Sequence, residues 1–244
     1  MKLFWFIIFT ALLLFSCNDS TEPSKKDKNC LIIIDSFSNQ PLADCYVRFD
    51  YIFDKDTNYN LDGVMILPNP VEDMVAFQFQ ITEPGSYSFD IVNQVNNKSY
   101  NLMNENFDKT GSYWYKFNLY DSVQIEEGFY SVYLKRENVP IDTMTLFYLK
   151  DAYTIDYNSS FQCYSFNAYQ NQTDMAGKMN FNPDDFKLFG KSFIKIFMNG
   201  KIDGNLTVND NFLVTVFNSN YDKLSQKIIP FKKLKEGYTY YINN

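Results

Sequence analysis

The region 64–150 is a succession of short segments in which apolar and polar residues alternate. Clear examples are VAFQFQI at 75–81 and YWYKFNL at 113–119, and Gly, Pro or Asn residues separate such segments from one another. Side chains in a β-strand point to opposite faces in turn, so a period of two predicts a strand with one buried face. Turn residues at this spacing are typical of an antiparallel β-sandwich.

The flanking regions also carry strand signals, but neither is long enough to build a sandwich alone. Residues 30–63 offer two strands and residues 151–244 offer five or six, with turn dipeptides at Asn199-Gly200 and Asp203-Gly204. We therefore expect an all-β protein with two antiparallel Ig-like β-sandwich domains. One is formed by 64–150, and the other by 30–63 together with 151–244. The split arrangement requires strands at 31–34 and 45–53 to pair with residues beyond 160.

Motifs in the region 64–150 follow one another in an order that resembles a known family. They are Leu67-Pro68-Asn69-Pro70, Gly85-x-Tyr87-x-x-x-Ile91, Gly111, Gly128-Phe129-Tyr130-x-Val132-x-Leu134 and Lys150. This order is similar to that of the carboxy-terminal sorting domain of type IX secretion cargo, which is related to an Ig-like module of the flagellar hook-cap protein. The resemblance implies an Ig-like fold and a recognition role in export. An unrelated sandwich with similar turns is the alternative.

A second, shorter resemblance covers the start of the split domain. The segment IIIDSFSNQPLADCYVRF at 32–49 resembles the opening of carboxypeptidase-regulatory-like modules, with a strand, a turn that ends in Pro-Leu and a second strand. The resemblance implies another antiparallel sandwich module.

The amino end reads as an export signal. A positive charge at Lys2 precedes an apolar stretch at 3–15, which is too short to span a hydrocarbon core of about 30 Å comfortably. The stretch ends in Leu14-Phe15-Ser16-Cys17, which resembles the lipobox of bacterial lipoproteins. The resemblance implies a signal peptide at 1–16, an acylated Cys17, and a polar tether at 17–29. We expect an outer-membrane lipoprotein of the cell envelope, periplasmic or surface-facing; a secretory signal with a chance cysteine is the alternative.

Oxygen-bearing side chains occur at every second position of FDKDTNYNLDG, residues 53–63. They are Asp54, Asp56, Asn58, Asn60 and Asp62. A Ca²⁺ ion takes 6–8 oxygen ligands, and this series could supply several of them. However, Tyr59 stands where calcium loops place a turn Gly, and Met65 stands where they place a bidentate Glu. Two interpretations therefore remain: a polar loop between strands, or a Ca²⁺ site.

The composition excludes several classes of function. The chain has no His, which removes Ser-His and Cys-His catalysis and the commonest zinc ligand. The net charge of −7 disfavours nucleic acid as a partner. Asp184-Asp185 is a candidate carboxylate pair, but these residues fit better as the cap of a short helical turn at Phe186. Aromatic residues make up 18% of the chain, and we expect most of them in the cores, with Trp114 on the polar face of its strand.

These observations favour a non-enzymatic, lipid-anchored envelope protein with an adhesion, spacer or assembly role. No cofactor other than the candidate Ca²⁺ is expected, and the partners would be the membrane and a protein or glycan ligand. The first alternative is a type IX secretion-related surface protein that uses 64–150 as a recognition domain. The second is a carbohydrate-binding protein, which predicts an exposed aromatic cleft and a convergent pair of carboxylates.

Substitution of Cys17 tests the anchor. Cells that express the wild-type chain should incorporate radiolabelled palmitate into the protein, whereas Cys17→Ala should incorporate none because the acylated thiol is gone. Autoradiography of the immunoprecipitated chain gives the readout. Cys30→Ala is the matched control and should label like wild type; equal labelling of Cys17→Ala would contradict the assignment.

Overall fold

The computed structural model describes residues 27–59, 63–119, 124–149 and 155–243. Strand accounts for 62% and helix for 4%, so the prediction of an all-β protein is confirmed. Several antiparallel sheets form the molecule, consistent with a β-sandwich.

The described ranges contain strands, one 3₁₀ turn and one short helix. In chain order they are β1 (Cys30–Asp35), β2 (Gln40–Pro41), β3 (Tyr46–Asp56), β4 (Met65–Leu67), β5 (Met74–Ile81), β6 (Gly85–Asn93), β7 (Ser99–Phe107), β8 (Gly111–Asn118), β9 (Gly128–Arg136), β10 (Val139–Tyr148), β11 (Asp156–Asn158), β12 (Cys163–Gln172), β13 (Lys178–Asn180), the 3₁₀ turn (Pro183–Asp185), β14 (Ser192–Ile196), β15 (Ile202–Phe217), β16 (Lys223–Pro230), α1 (Phe231–Lys235) and β17 (Tyr238–Ile242).

The strands form four sheets. Sheet A has the order β13-β1-β17, with β2 also paired to β1, and sheet B has the order β11-β12-β3-β15-β14, with β16 also paired to β15. Sheet C has the order β4-β5-β8, and sheet D has the order β10-β9-β6-β7. We call sheets A and B the outer unit and sheets C and D the central unit, because the chain enters and leaves the central unit between β3 and β11.

The outer unit joins strands from both ends of the chain. Strand β1 pairs with β13 and β17, and β3 pairs with β12 and β15, so the first strands lie between strands that follow residue 160. The β1–β17 pair is parallel, an exception to the antiparallel arrangement. Parallel pairing follows from the connection, since the two strands are far apart in sequence and need no tight turn between them.

Apolar side chains fill the space between the two sheets of each unit. In the outer unit Phe212 is fully buried, and its ring centroid lies 5.4 Å from that of Phe49 and 4.8 Å from that of Phe186. In the central unit Phe89 lies between Phe77 and Phe79, at 5.0 and 4.9 Å. Such stacked and edge-on aromatic pairs add about 0.5–1.5 kcal/mol each to the free energy of area burial. Many of the aromatic residues therefore lie in these two cores.

A shared seam joins the two units. Phe129 and Phe147 belong to β9 and β10 of the central unit, yet both side chains pack in the hydrophobic core of the outer unit. Their rings stack on each other at 4.2 Å, and the ring of Phe147 lies 5.2 Å from that of Phe193 on β14. In the opposite direction, Ile196 of β14 packs in the core of the central unit. Each core is thus completed by side chains of the other unit.

Asn69 connects the units through hydrogen bonds. The residue is fully buried, its backbone N–H donates to Ile196 O at 2.9 Å, and its backbone carbonyl accepts from the Ile196 N–H at 2.8 Å. The side chain donates from Nδ2 to Thr145 O at 2.8 Å and accepts at Oδ1 from the Phe147 N–H at 2.9 Å. A buried polar group avoids a desolvation penalty only when it is hydrogen-bonded, and here every polar group of Asn69 is.

The structure corrects the prediction for Asp203-Gly204. This dipeptide was expected to form a turn, but it lies inside β15 at a register shift opposite β14. A Cβ atom at Gly204 would lie 2.8 Å from Asp56 O. The glycine is therefore required by the close approach of the neighbouring β3 backbone rather than by a reversal of the chain. Asn199-Gly200 does form a turn, in which the Gly200 N–H donates to Phe197 O at 2.9 Å.

The short helices also differ in detail from the expectation. Asp184 and Asp185 lie within the 3₁₀ turn, whose cap is Asn182: its side chain accepts from the Asp184 N–H at 3.2 Å. The sequence did not predict α1, a single turn of helix in which Leu234 is buried. A segment this short has almost no periodic signal and is stabilised by tertiary packing.

Removal of the Asn69 side chain should weaken the attachment of this residue to β10 within the central unit, while its backbone hydrogen bonds to Ile196 remain. Asn69→Ala leaves Thr145 O and the Phe147 N–H buried without their partners, so we expect the free energy of unfolding to fall by about 2–6 kcal/mol. Asn104→Ala, an exposed position on β7, is the matched control and should stay within about 0.5 kcal/mol of wild type. Urea titration followed by circular dichroism measures both; equal effects of the two variants would contradict the proposed role of Asn69.

Candidate functional site

Several of the residues predicted as sites fall outside the described ranges. These are the lipid-attachment residue Cys17 and two members of the oxygen series, Asn60 and Asp62. Within those ranges no helix has the length and apolar character needed to cross a lipid bilayer.

The remaining members of the oxygen series lie at the end of β3. Asp54, Asp56 and Asn58 are exposed, and the carboxylates already have protein partners. Asp54 Oδ1 accepts from Asn209 Nδ2 at 2.9 Å, and Asp56 Oδ1 accepts from the Asn58 N–H at 2.8 Å. Among the described residues, no three His, Cys, Asp or Glu side chains converge as a metal site would require. The Ca²⁺ site stays a prediction.

The cysteines in the described ranges are buried and free. They are Cys30, Cys45 and Cys163, and burial raises the pKa of each thiol above its usual value. A reactive cysteine needs the opposite shift, because the thiolate is the nucleophile. These side chains therefore act as small apolar groups in the outer unit.

A depression on the solvent side of sheet B has the best-defined walls for a binding site. On β3, Val47, Phe49, Tyr51 and Phe53 pack into the core between the sheets, so the residues between them lie on the opposite face. Register shifts in β12, between Asn167 and Tyr169, and in β15, between Val208 and Phe212, bend the sheet on both sides of β3. Strand β11 forms a rim on one side. We call this depression the outer-face groove.

The groove consists of two pockets, an Asp50 end and an Asp54 end. The Asp50 end has a volume of about 380 Å³ and is lined by Arg48, Asp50, Asp156, Asn158, Asn167 and Gln226, among others. The Asp54 end has a volume of about 670 Å³, with Asp54, Cys163, Asn209 and Ile228 among its walls. Tyr157 lines both ends. Both volumes lie in the range of roughly 300–1,000 Å³ that is typical of small-molecule sites.

Asp50 is the most unusual residue of the groove. It is only 2% exposed, and Arg48 Nε lies 3.0 and 3.1 Å from its two carboxylate oxygens. Its Oδ1 accepts no hydrogen bond from a described residue, and neither does Oδ1 of Asn167, the residue opposite Asp50 on β12. Burial raises the pKa of Asp50, and the nearby Arg48 charge offsets this only in part. Burial thus disfavours the ionised form of Asp50, and carboxyl groups with a pKa perturbed in this way are typical of functional sites.

The Tyr157 side chain lies on the core-side face of sheet B, at its edge, because Tyr157 pairs with Tyr164 and Tyr164 pairs with the core residue Phe53. Tyr157 is 56% exposed, and its ring lies 5.2 Å from the ring of Tyr164 in an edge-on arrangement. Tyr164 is itself fixed, because its hydroxyl donates to Asp203 Oδ2 at 2.6 Å and Lys195 Nζ lies 4.1 Å from its ring centroid. The Tyr157 ring therefore packs against a fixed neighbour.

The charged groups around Tyr164 are paired with one another. Lys55 Nζ donates to Asp203 Oδ1 at 2.7 Å. Burial opposes ionisation of Asp203, but the hydrogen bonds from Lys55 and Tyr164 outweigh it and lower the pKa of this carboxyl. Burial lowers the pKa of Lys195, and burial together with Asp203 raises the pKa of Tyr164 to about 12. Lys55, Tyr164 and Lys195 thus all interact with Asp203 or with one another.

A second cleft lies at the seam between the units. It has a volume of about 410 Å³, with aromatic walls from Tyr51, Phe147 and Phe166 and acidic groups from Glu126 and Asp185. Glu126 and Leu149, which line it, are close in sequence to residues 120–123 and 150–154, outside the described ranges. The outer-face groove is the better candidate because its walls come from paired strands.

Sequence reasoning did not identify the groove. Its residues come from β3, β11, β12, β15 and β16, which are widely separated in the chain, and β11 is too short for a periodic signal. One signal was present in the sequence of β3. Arg48 and Asp50 are charged residues in a strongly apolar strand, and they alternate with the core residues, so they are expected to face outward. Comparisons of the chain with protein-family models, with curated proteins and with solved structures gave no match.

Asp50→Asn tests the cost of the buried carboxylate. Below the ordinary Asp value of 3.8 the group is protonated in both the folded and the unfolded chain. At higher pH the unfolded chain ionises first because the pKa of folded Asp50 is raised, so ionisation reduces stability as pH increases. The uncharged variant should therefore gain stability relative to wild type between about pH 4 and pH 7.

Urea unfolding of both proteins at each pH gives the difference. Asp184→Asn, an exposed position, is the control for the general effect of removing one negative charge. A variant Asp50→Asn that becomes less stable than wild type as pH rises would show that the ion pair with Arg48 stabilises the fold.

Proposed function

We propose that this protein is a lipid-anchored, non-enzymatic adhesion protein of the cell envelope. The lipobox-like sequence at Cys17 and the polar segment that follows it support the anchor and the location. The chain has no His, and the most deeply buried acid of the groove, Asp50, is paired with Arg48, which supports a binding role over a catalytic one.

The start of the folded region suits a protein that is held by its amino end. Asp27 pairs with Lys178 at 2.7 Å, and the Asn29 N–H donates to Lys235 O at 3.0 Å. The next residues enter β1, which is paired on both sides by β13 and β17. A load applied at the tether would therefore be shared at once by three strands of sheet A. The shared seam would pass this load to the central unit.

The outer-face groove is the observation that favours adhesion over a pure spacer role. A spacer needs only rigidity, and the cores and the seam supply that. Yet sheet B carries a depression with a buried carboxylate, Asp50, and with an acceptor atom, Asn167 Oδ1, that has no hydrogen-bond donor among the described residues. Groups of this kind reduce stability or contribute little to it, and they are typical of surfaces that bind a ligand.

The second candidate is a type IX secretion-related surface protein in which the central unit acts as a recognition domain. The strand order of this unit, β4 to β10, forms two antiparallel sheets over one core, which is compatible with the Ig-like module that the motifs resemble. In this case export, rather than adhesion, would depend on the central unit.

Localisation in the native host separates the two candidates. We expect wild type to sediment with membranes, to be released by detergent and to react with a membrane-impermeant biotin reagent on intact cells. Cys17→Ala should lose most of its membrane association, because the acyl chains provide the anchoring energy. Membrane retention of Cys17→Ala would contradict the proposal.

The same labelling in a host without a functional type IX translocon tests the alternative. The adhesion proposal predicts an unchanged surface signal for wild type. Loss of the surface signal in that host, with accumulation of the chain inside the outer membrane, would instead support a recognition role for the central unit.

A further inference from the structure

We propose that lysines at the start of the folded region bind anionic lipid headgroups of the bilayer in which Cys17 is anchored. Six lysines of the chain fall in two short segments, KKDK at 25–28 and KKLK at 232–235. We call the surface formed by Lys28, Lys232, Lys233 and Lys235 the basic face. This inference rests on the proposed lipid anchor, and it adds a second contact that sets how the folded region lies on the membrane.

The two segments meet because the chain enters its fold beside α1. The Asn29 N–H donates to Lys235 O at 3.0 Å. A Cβ atom at Gly237, the second residue after α1, would collide with Asp27 O, so the two backbones are in contact there. The lysines of α1 are therefore held next to the point at which the tether joins the folded region.

Packing beneath α1 fixes its position. Leu234 is fully buried, and the Phe231 ring lies 4.8 Å from the ring of Phe189 and 5.6 Å from that of Phe212. The other side chains of the helix are exposed: Lys232, Lys233 and Lys235. The helix therefore presents its charges to solvent from a fixed backbone, which limits the conformational entropy lost on binding.

The lysines of the basic face have no ion-pair partner among the described residues. Asp27, the acid inside the first segment, is paired with Lys178 at 2.7 Å. Glu236 follows α1, and Asp184 and Asp185 lie on the neighbouring 3₁₀ turn, so three carboxylates stand against the six lysines of the two segments. A local excess of positive charge therefore remains in a chain whose net charge is −7, and such an excess attracts phosphate-bearing headgroups.

The length of the tether keeps the basic face near the bilayer. Even a fully extended chain from Cys17 to Asp27 spans at most about 36 Å, so Asp27 lies no farther than this from the attachment point. Lys25 and Lys26 belong to this stretch and add positive charge between the anchor and α1. At physiological salt the Debye length is about 8 Å, so acidic residues on distant surfaces are screened and oppose the contact little.

The contact adds to the acyl anchor and does not replace it. A patch of this size gives weak, reversible and salt-sensitive binding, whereas the acyl chains provide the anchoring energy. Cys17→Ala is therefore still expected to leave the membrane. In the anchored protein, the basic face turns the end of sheet A that carries Asn29 toward the bilayer.

Vesicle sedimentation of the processed chain tests the proposal. The protein is residues 17–244 with Cys17→Ser, which keeps every described residue and lacks the lipid. The probes are vesicles of phosphatidylcholine alone and of phosphatidylcholine mixed with an equal part of phosphatidylglycerol. At about 0.1 M salt we expect binding to the anionic vesicles only, and about 1 M salt should abolish it, because the Debye length falls from about 10 Å to about 3 Å.

Replacement of Lys232, Lys233 and Lys235 by Gln should weaken this binding about a hundredfold, since each lysine near an anionic surface contributes about fivefold. Lys98→Gln/Lys109→Gln/Lys116→Gln is the matched control, because it removes the same charge from exposed positions of the central unit. The control should stay within about threefold of the parent chain, since distant charges are screened.

Circular dichroism of each variant checks that folding is unchanged. If the triple variant of α1 does not fold, Lys232→Gln/Lys233→Gln takes its place, because it keeps the contact of Lys235 Nζ with the Phe231 ring at 4.9 Å. Its expected loss of binding is about 25-fold.

Binding to neither kind of vesicle, or equal weakening by the α1 variant and the control, would overturn the inference. Inorganic phosphate should release no more protein than chloride at the same ionic strength; preferential release by phosphate would indicate a site for a single phosphate ion and would also overturn it. Palmitate labelling and detergent release of the wild-type chain depend on the acyl chains, so they distinguish a failure of this inference from a failure of the proposed anchor.

Discussion

The stacked rings of Phe129 and Phe147 are the contact on which the architecture depends. They are presented by the central unit but complete the core of the outer unit, where they meet Phe193. Burial of an aromatic side chain of this size contributes about 1.5–3 kcal/mol, and loss of one from a core costs about 3–5 kcal/mol. A separated outer unit would therefore have a cavity lined with apolar atoms. This makes the two units mutually dependent.

The two faces of sheet B differ in their surroundings. The inner face of this sheet packs in the core of the outer unit, whereas the outer face carries only a small buried cluster of Ile52, Cys163 and Leu213. Bulges in β12 and β15 then shape a groove over β3 without disturbing the packing beneath. The core and the groove use opposite faces of the same strand: Phe49 and Tyr51 point into the core, and Asp50 lines the groove.

Local pattern predicted the strands well, but contacts between distant parts of the chain could not be read from it. The alternation at 75–81 and 113–119 identified β5 and β8, and it placed Trp114 on the exposed face, where it is 55% exposed. Adjacent aromatics at Phe129-Tyr130 and Phe147-Tyr148 break the alternation because both faces of β9 and β10 are buried there. The groove escaped prediction because long-range pairing and bulges, rather than any short motif, create it.

The direct test of mutual dependence is urea unfolding of a chain that begins at Asn18, followed by one probe in each unit. Trp114 is then the sole tryptophan and reports on the central unit, while the buried thiols of Cys30, Cys45 and Cys163 report on the outer unit. Tryptophan fluorescence and thiol reactivity should change with the same midpoint. Two separate midpoints would show that the units unfold independently and that the seam does not hold them together.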